Sequence, residues 1–207
     1  VSPSRTATLR VEVREDNAVA RGLYNHMGFK TVGTMVELLR PEGRSWSILD
    51  LSPVELRRAR VSEGRDLHRL AKDGLMREHR EVLEVRRSSY RAGWEATIGA
   101  WLEGVRESWR IAERGDEVVG GVQVSTRWFS RWHQVEVVVW EDRLDDLGPH
   151  LVGAAVGELA RRRLWETTAL LPGPREALEP LFVEAGFRRL RRLAQMRLDL
   201  GHRIEIH

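Results

Sequence analysis

Residues 9–29 read LRVEVREDNAVARGLYNHMGF. Leu9, Val11 and Val13 alternate with charged neighbours, the period of a half-buried strand. Asp16 and Asn17 carry short acceptor side chains suited to the free N–H groups at a helix start, and residues 18–27 supply mostly good helix formers. Gly28 stops that helix where a left-handed residue is wanted. Residues 29–39 then read as a second strand, Pro41-Glu42-Gly43 as a turn, and residues 46–51 as the antiparallel partner.

The same unit recurs near the other end of the chain. NAVARGLYNHMGF at 17–29 lies over REALEPLFVEAGF at 175–187, and each copy stands between two strand-like segments. The repeat is therefore of a strand-helix-strand unit rather than of a helix alone. Between the copies, Ser52 and Pro53 close the first unit. A strand is expected at 54–61, followed by a long charged helical region at 64–106 with interruptions near Ser88 and Gly93. A hairpin follows from 109–113 and 117–126, turning at Gly115 and Asp116. The most apolar strand, 134–140, contains VEVVVW, and a helix is expected at 149–163. Strand 167–171, helix 175–185 and strand 187–200 complete the order.

Composition narrows the functional classes. The chain has 207 residues, 31% of them charged, with a net charge of +3. It has no cysteine, which removes disulfides, thiolate metal sites and a cysteine nucleophile, and fits a cytoplasmic location. No apolar run approaches the roughly 20 residues of a membrane span, so no membrane partner is expected. Arginine far outnumbers lysine, yet no basic stripe interleaves with aromatics, which argues against nucleic acid even around Arg161, Arg162 and Arg163. The chain begins at Val1, and sequence ahead of it is expected.

The pattern L-x-V-x-V-x-x-x-N-x-x-A-x-x-L-Y-x-x-x-G-F, carried by Leu9, Val11, Val13, Asn17, Ala20, Leu23, Tyr24, Gly28 and Phe29, resembles the carboxyl-terminal signature of the GNAT superfamily of N-acetyltransferases. The resemblance implies an α/β fold with a mixed sheet whose central strands splay apart to admit the pantetheine arm of acetyl-CoA. It implies that Asn17 contacts that arm and that Tyr24 protonates the departing CoA thiolate. Independent of the family, Asn17 and Tyr24 are seven positions apart and so share one helix face. Phenols and thiols have unperturbed pKa values of about 10 and about 8.5, which makes such a proton transfer feasible. The plainer alternatives are a helix cap at Asn17 and a packed ring at Tyr24.

The second copy has lost both groups, with Arg175 where Asn17 stands and Phe182 where Tyr24 stands. The family's diphosphate loop reads roughly Q/R-x-x-G-x-G/A. Here EDRLDDLGPHLVGAAVGEL keeps Gly148 and Gly153 as candidate cofactor-binding residues but has Leu151 at the first glycine position. Glu141, Asp142, Asp145 and Asp146 would repel a diphosphate. The resemblance also implies that Val137 and Val139 border the cofactor's arm and that Glu136 lies where a general base would take the amine proton, although a lone strand glutamate is commonly solvent-facing. Trp94 and Trp101 share a helical stripe that either packs on the sheet or walls an acceptor site, with Trp109 already in the hairpin. His68 with His79, and His202 with His207, lack carboxylate partners at ligand spacing, so no metal is expected.

These readings give residues 1–52 as the end of a first GNAT unit and 54–207 as a complete divergent one. The expected activity is acetyl transfer from acetyl-CoA to an amine on a small molecule or peptide. The alternatives are a non-catalytic binding or dimerisation module, and residues 1–52 docking to complete a sheet edge, within one chain or swapped in a homodimer.

Overall fold

The alternating stretch Ala7–Arg14 forms β1, and Ala18–His26 forms α1. Asn17 caps the helix, its Oδ1 accepting the Ala20 N–H at 3.0 Å. Gly28 adopts φ 90°, which turns the chain into β2, Lys30–Arg40. The second copy repeats this from β7, Glu166–Pro172, through a 3-10 turn at Gly173–Leu178 and the short α4, Glu179–Glu184, to β8, Arg188–Leu200. Between the copies stand β3 (Arg57–Arg58), α2 (Gly64–Asp73), β4 (Val105–Arg114), β5 (Glu117–Arg127), β6 (Trp132–Val139) and α3 (Leu144–Leu159). The computed structural model describes residues 7–43, 46, 56–73, 104–115 and 117–200.

All eight strands share one sheet in the order β1-β8-β2-β7-β6-β5-β4-β3. The two copies interleave within it: β8 lies between β1 and β2, and β2 lies between β8 and β7. The first unit therefore contributes both the edge strand β1 and the inner strand β2, more than the edge completion considered as an alternative. The register obeys a two-fold relation with a constant offset of 158, the separation of Phe29 from Phe187. Met35 pairs with its own counterpart Leu193, so a local two-fold axis passes through that pair. Val13 pairs with Ala194, and their counterparts Leu171 and Val36 pair with each other. The helix ends repeat in the same terms. Phe29 N–H donates to the Tyr24 carbonyl and Phe187 N–H to the Phe182 carbonyl, both at 3.0 Å, and Gly186 has φ 93°. Arg192, next to the axis, ties the copies together through Glu15 at 3.1 Å and Glu176 at 2.8 Å.

The larger core lies between the sheet and α3, where Val122, Val124, Val135, Val137 and Val139 meet Leu151, Val152, Val156 and Phe182. Removing this much apolar surface from water is the main favourable term of the fold. On the other face Val138 and Ile111 pack against Leu67 and Leu70 of α2. A smaller core of Val13, Phe29 and Met196, with Tyr24 beside it, sits under α1.

Three sequence readings are corrected. The helix expected from Pro149 begins at Leu144, so Glu141, Asp142 and Arg143 form a 3-10 turn and the two aspartates at 145 and 146 lie in the first helical turn. Acidic side chains are favoured there by the helix dipole. The segment read as a helix at 175–185 is 3-10 up to Leu178. Residues 105 and 106 are already strand, because Val105 pairs with Arg127. The antiparallel partner strand expected at 46–51, apart from Trp46, the interruptions near Ser88 and Gly93, and Trp94, Trp101, His79, His202 and His207 lie outside the described residues.

A candidate active site in two unequal copies

β6 and β7 run parallel, and their ladder pairs Trp132 with Glu166 through to Val135 with Ala169 and goes no further. Beyond that point the two strands diverge, leaving the β7 side of residues 136–139 outside the ladder. Val137 and Val139 point into the α3 core, and both are buried. Glu136 sits on the opposite face with Val138, towards α2, and pairs across β5 with Gln123. On that face the Glu107 carboxyl has its pKa raised, first by desolvation and then by the charge of Glu136, against the pull of Arg127.

On the α3 face of the sheet the diverging strands border packed core. Leu171, Leu178, Leu151 and Phe182 occupy one continuous core with Val137 and Val139. Gly148 lies in the second turn of α3 against the 3-10 turn, and a Cβ on it would fall 2.4 Å from Leu178 Cδ2. A larger residue there would therefore push the Leu178 side chain aside. Gly153 is nine residues past the first residue of α3, about 13 Å along the helix. At the helix start, Arg143 stands 3.8 Å from both Asp142 and Asp146, one cation among four carboxylates. A phosphate at the N–H groups of this helix start would therefore face four carboxylates against one arginine. Arg175, at the Asn17 position, is buried rather than turned to solvent.

The first copy differs at each of these points. Asn17 is exposed at the head of α1 and Tyr24 is half-buried two turns on, its ring edge-on to Phe29 at 5.3 Å. Phe182 holds the same relation to Phe187 at 5.1 Å but is wholly buried. The first turn of α1 carries no acidic residue. The polar pair and its partly open face therefore exist in one copy only. The structure keeps Glu136, Val137, Val139, Gly148 and Gly153 with the second copy, apart from Asn17 and Tyr24.

Sequence reading missed a polar cluster that anchors the far end of α3. Arg162 is ion-paired with Glu158 at 3.1 Å and donates to Ser108 Oγ at 2.6 Å, and Arg110 approaches Glu158 at 3.4 Å. His133, almost fully buried, hydrogen-bonds Thr126 at 2.8 Å and the Arg163 carbonyl at 2.9 Å and stacks on Trp165. Arg162 was singled out only as a surface cation, whereas its guanidinium is spent inside the protein. Among the described residues no three His, Asp or Glu side chains gather as a metal site would require, and no helix is long and apolar enough to cross a membrane.

The fold matches solved structures over nearly the whole chain. A GCN5-related N-acetyltransferase from Sphaerobacter thermophilus aligns over 94% of this chain and 60% of its own, with TM-score 0.60 and 14% identity. The chain has the GNAT fold. A tandem GNAT protein from the clavulanic acid biosynthesis pathway aligns over 96% of this chain and 66% of its own, with TM-score 0.57 and 16% identity. A GCN5-related N-acetyltransferase from Kribbella flavida gives 95% and 70%, with TM-score 0.55 and 15% identity. The chain thus spans about three-fifths to two-thirds of the length of the first two GNAT structures. No family model matches it, and no curated protein matches it.

Proposed function

We propose that this chain is the carboxyl-terminal part of a tandem GNAT-type acyltransferase that moves an acetyl group from acetyl-CoA to an amine, with the chemistry in the first unit. The observation that carries the reading is the unequal pair of copies. Two units in the same register differ chiefly in that one keeps Asn17 and an accessible Tyr24, while the other has a buried Arg175 and a buried Phe182.

In the reaction the amine nitrogen attacks the thioester carbonyl, the C–N bond forms, the C–S bond breaks, the leaving thiolate takes a proton, and the proton given up by the nitrogen passes through water to restore the donor. Tyr24 Oη is the donor for the thiolate's proton, and Asn17 holds the pantetheine amides with whatever hydrogen-bonding capacity the cap leaves free. Bound acetyl-CoA supplies the activated acyl group. Glu136 belongs to the second unit, so the reading leaves it without a part at the Tyr24 site. The acid-lined start of α3 and the core packed against it support a scaffolding role for the second unit.

The test is acetyl transfer to a panel of amines by the gene's full-length product, as wild type and as Tyr24→Phe. The expected result is a kcat lower by about 10²–10⁴ with little change in KM for acetyl-CoA. Unchanged kcat for Tyr24→Phe, with loss of activity in Glu136→Gln instead, would move the chemistry to the second unit. The contrasting reading, a non-catalytic binding module, is supported by Phe182 and the acidic turn, and it expects no transfer at all.

A further inference from the structure

The two-fold relation allows each residue of the first copy to be compared with its counterpart, and the comparison exposes what the first copy lacks. Leu23 is 57% exposed and Met27 55%, while Leu181 is packed against the main core and Ala185 is fully buried. Leu9 is 49% exposed, and its counterpart Thr167 is buried completely. Tyr24 and Ala20 are half-covered where Phe182 and Leu178 are buried. Val19 is a control: its counterpart Ala177 is exposed in the same way, so it lies off the patch.

The cover on the second copy comes from β6, which pairs with β7, and from α3, which packs on the 3-10 turn and α4. On the first copy the equivalent positions are bare among the described residues. β1 is the last strand of the sheet, and its outer side is the counterpart of the side of β7 that takes β6. The register carries over: β6 pairs with residues 166–169, whose counterparts are residues 8–11. An open strand edge beside exposed leucine and methionine is a surface that proteins ordinarily cover.

We infer that the outer edge of β1 at residues 8–11, with Leu9, Leu23 and Met27, seats a parallel β-strand followed by an α-helix, the counterpart of β6 and α3, from the remainder of the first unit. The incoming strand pairs only as far as Val11. Beyond Val11 it diverges, as β6 does from β7, and opens a wedge beside Asn17 and Tyr24. This deepens the tandem reading by naming the surface and register, but it rests on the internal symmetry and needs no acyl-transfer chemistry to be true.

The experiment fuses a second copy of residues 132–165 directly ahead of Thr8 in the otherwise complete chain, which reproduces the connection that leads from α3 into β7. Hydrogen exchange is read on the outward amides of residues 8–11, in the fusion and in the parent. The expected result is slowing by about tenfold or more in the fusion. Leu23→Glu with Met27→Glu should return the fusion to the parent's exchange while leaving the parent's own exchange as it was, because both side chains are exposed there. Equal exchange in fusion and parent would overturn the inference. So would a parent that sediments as a dimer with residues 8–11 already protected, since a second copy would then own the edge. No acyl-CoA enters the experiment, so its failure and that of the proposed chemistry are separate results.

Discussion

Gly148→Ala and Gly157→Ala make the same chemical change on one helix and should move stability in opposite directions. Each replaces a helical glycine by alanine, worth about 0.5–1 kcal/mol in favour of the folded state. At Gly157 an added Cβ meets nothing within 4 Å, so that gain should appear whole. At Gly148 the Cβ falls 2.4 Å from Leu178 Cδ2, whereas carbon atoms prefer roughly 3.5–4.0 Å. Leu178 is buried in the main core and has to move by about 1 Å, an overpacking cost of about 1–3 kcal/mol. Because the helix gain is common to both variants, their difference isolates that steric cost. For a chain of this length the difference is about 2–12 °C in melting temperature. Urea unfolding followed by circular dichroism gives the same quantity as a free energy. Adding Leu178→Ala to Gly148→Ala should cost less than Leu178→Ala alone, since the new methyl occupies part of the vacated space. If Gly148→Ala stabilises as much as Gly157→Ala, Leu178 is not tightly packed against Gly148 and the steric reasoning fails.

Burial holds the His133 pKa below its ordinary value, against the hydrogen bond to the Arg163 carbonyl and with the help of Arg162's charge. The stability this histidine contributes is therefore complete above about pH 6.5 and is lost as pH falls through its folded pKa. His133→Gln should flatten the stability profile in that window when unfolding is followed across pH. Burial alone would raise the Glu158 carboxyl, but the hydrogen bonds and charges of Arg162 and Arg110 outweigh it and hold its pKa low. Arg162→Met should cost about 3 kcal/mol near neutrality and weaken the loss of stability that urea titrations of the wild type are expected to show below about pH 4.5. Asn17→Ala should cost about 1 kcal/mol through the lost cap, and Asn17→Ser much less. If Asn17 also holds the pantetheine arm, the serine variant still raises the Kd for acetyl-CoA in the full-length product, which a purely structural cap would not.

Local signals in the sequence were sufficient for the first copy. Alternation at Leu9, Val11 and Val13, the cap at Asn17 and the glycine at 28 each report on a few neighbouring residues, and all appear in the fold where expected. The repeat was legible for the same reason, since Gly-Phe closes both helices through the same hydrogen bond. The start of α3 was misread because Asp145 and Asp146 suggest a solvated loop and Pro149 suggests a first helical turn. In the fold the spacing of Leu144, Leu147 and Leu151 prevails, and the aspartates become first-turn residues that suit the dipole. The insertion of β2 between β7 and β8 had no local signal, because strand partnership is decided by contacts between segments some 150 residues apart. Similarly, nothing in the sequence marks Gly148 as a packing glycine, since its partner Leu178 lies 30 positions away.

The number of acetyl-CoA molecules bound per full-length chain tests the account most directly, measured by equilibrium dialysis. The unequal copies predict one equivalent, weakened by Asn17→Ala and absent from the 207-residue chain on its own. Two equivalents, or one that the 207-residue chain retains by itself, would contradict the assignment of the chemistry to the first unit.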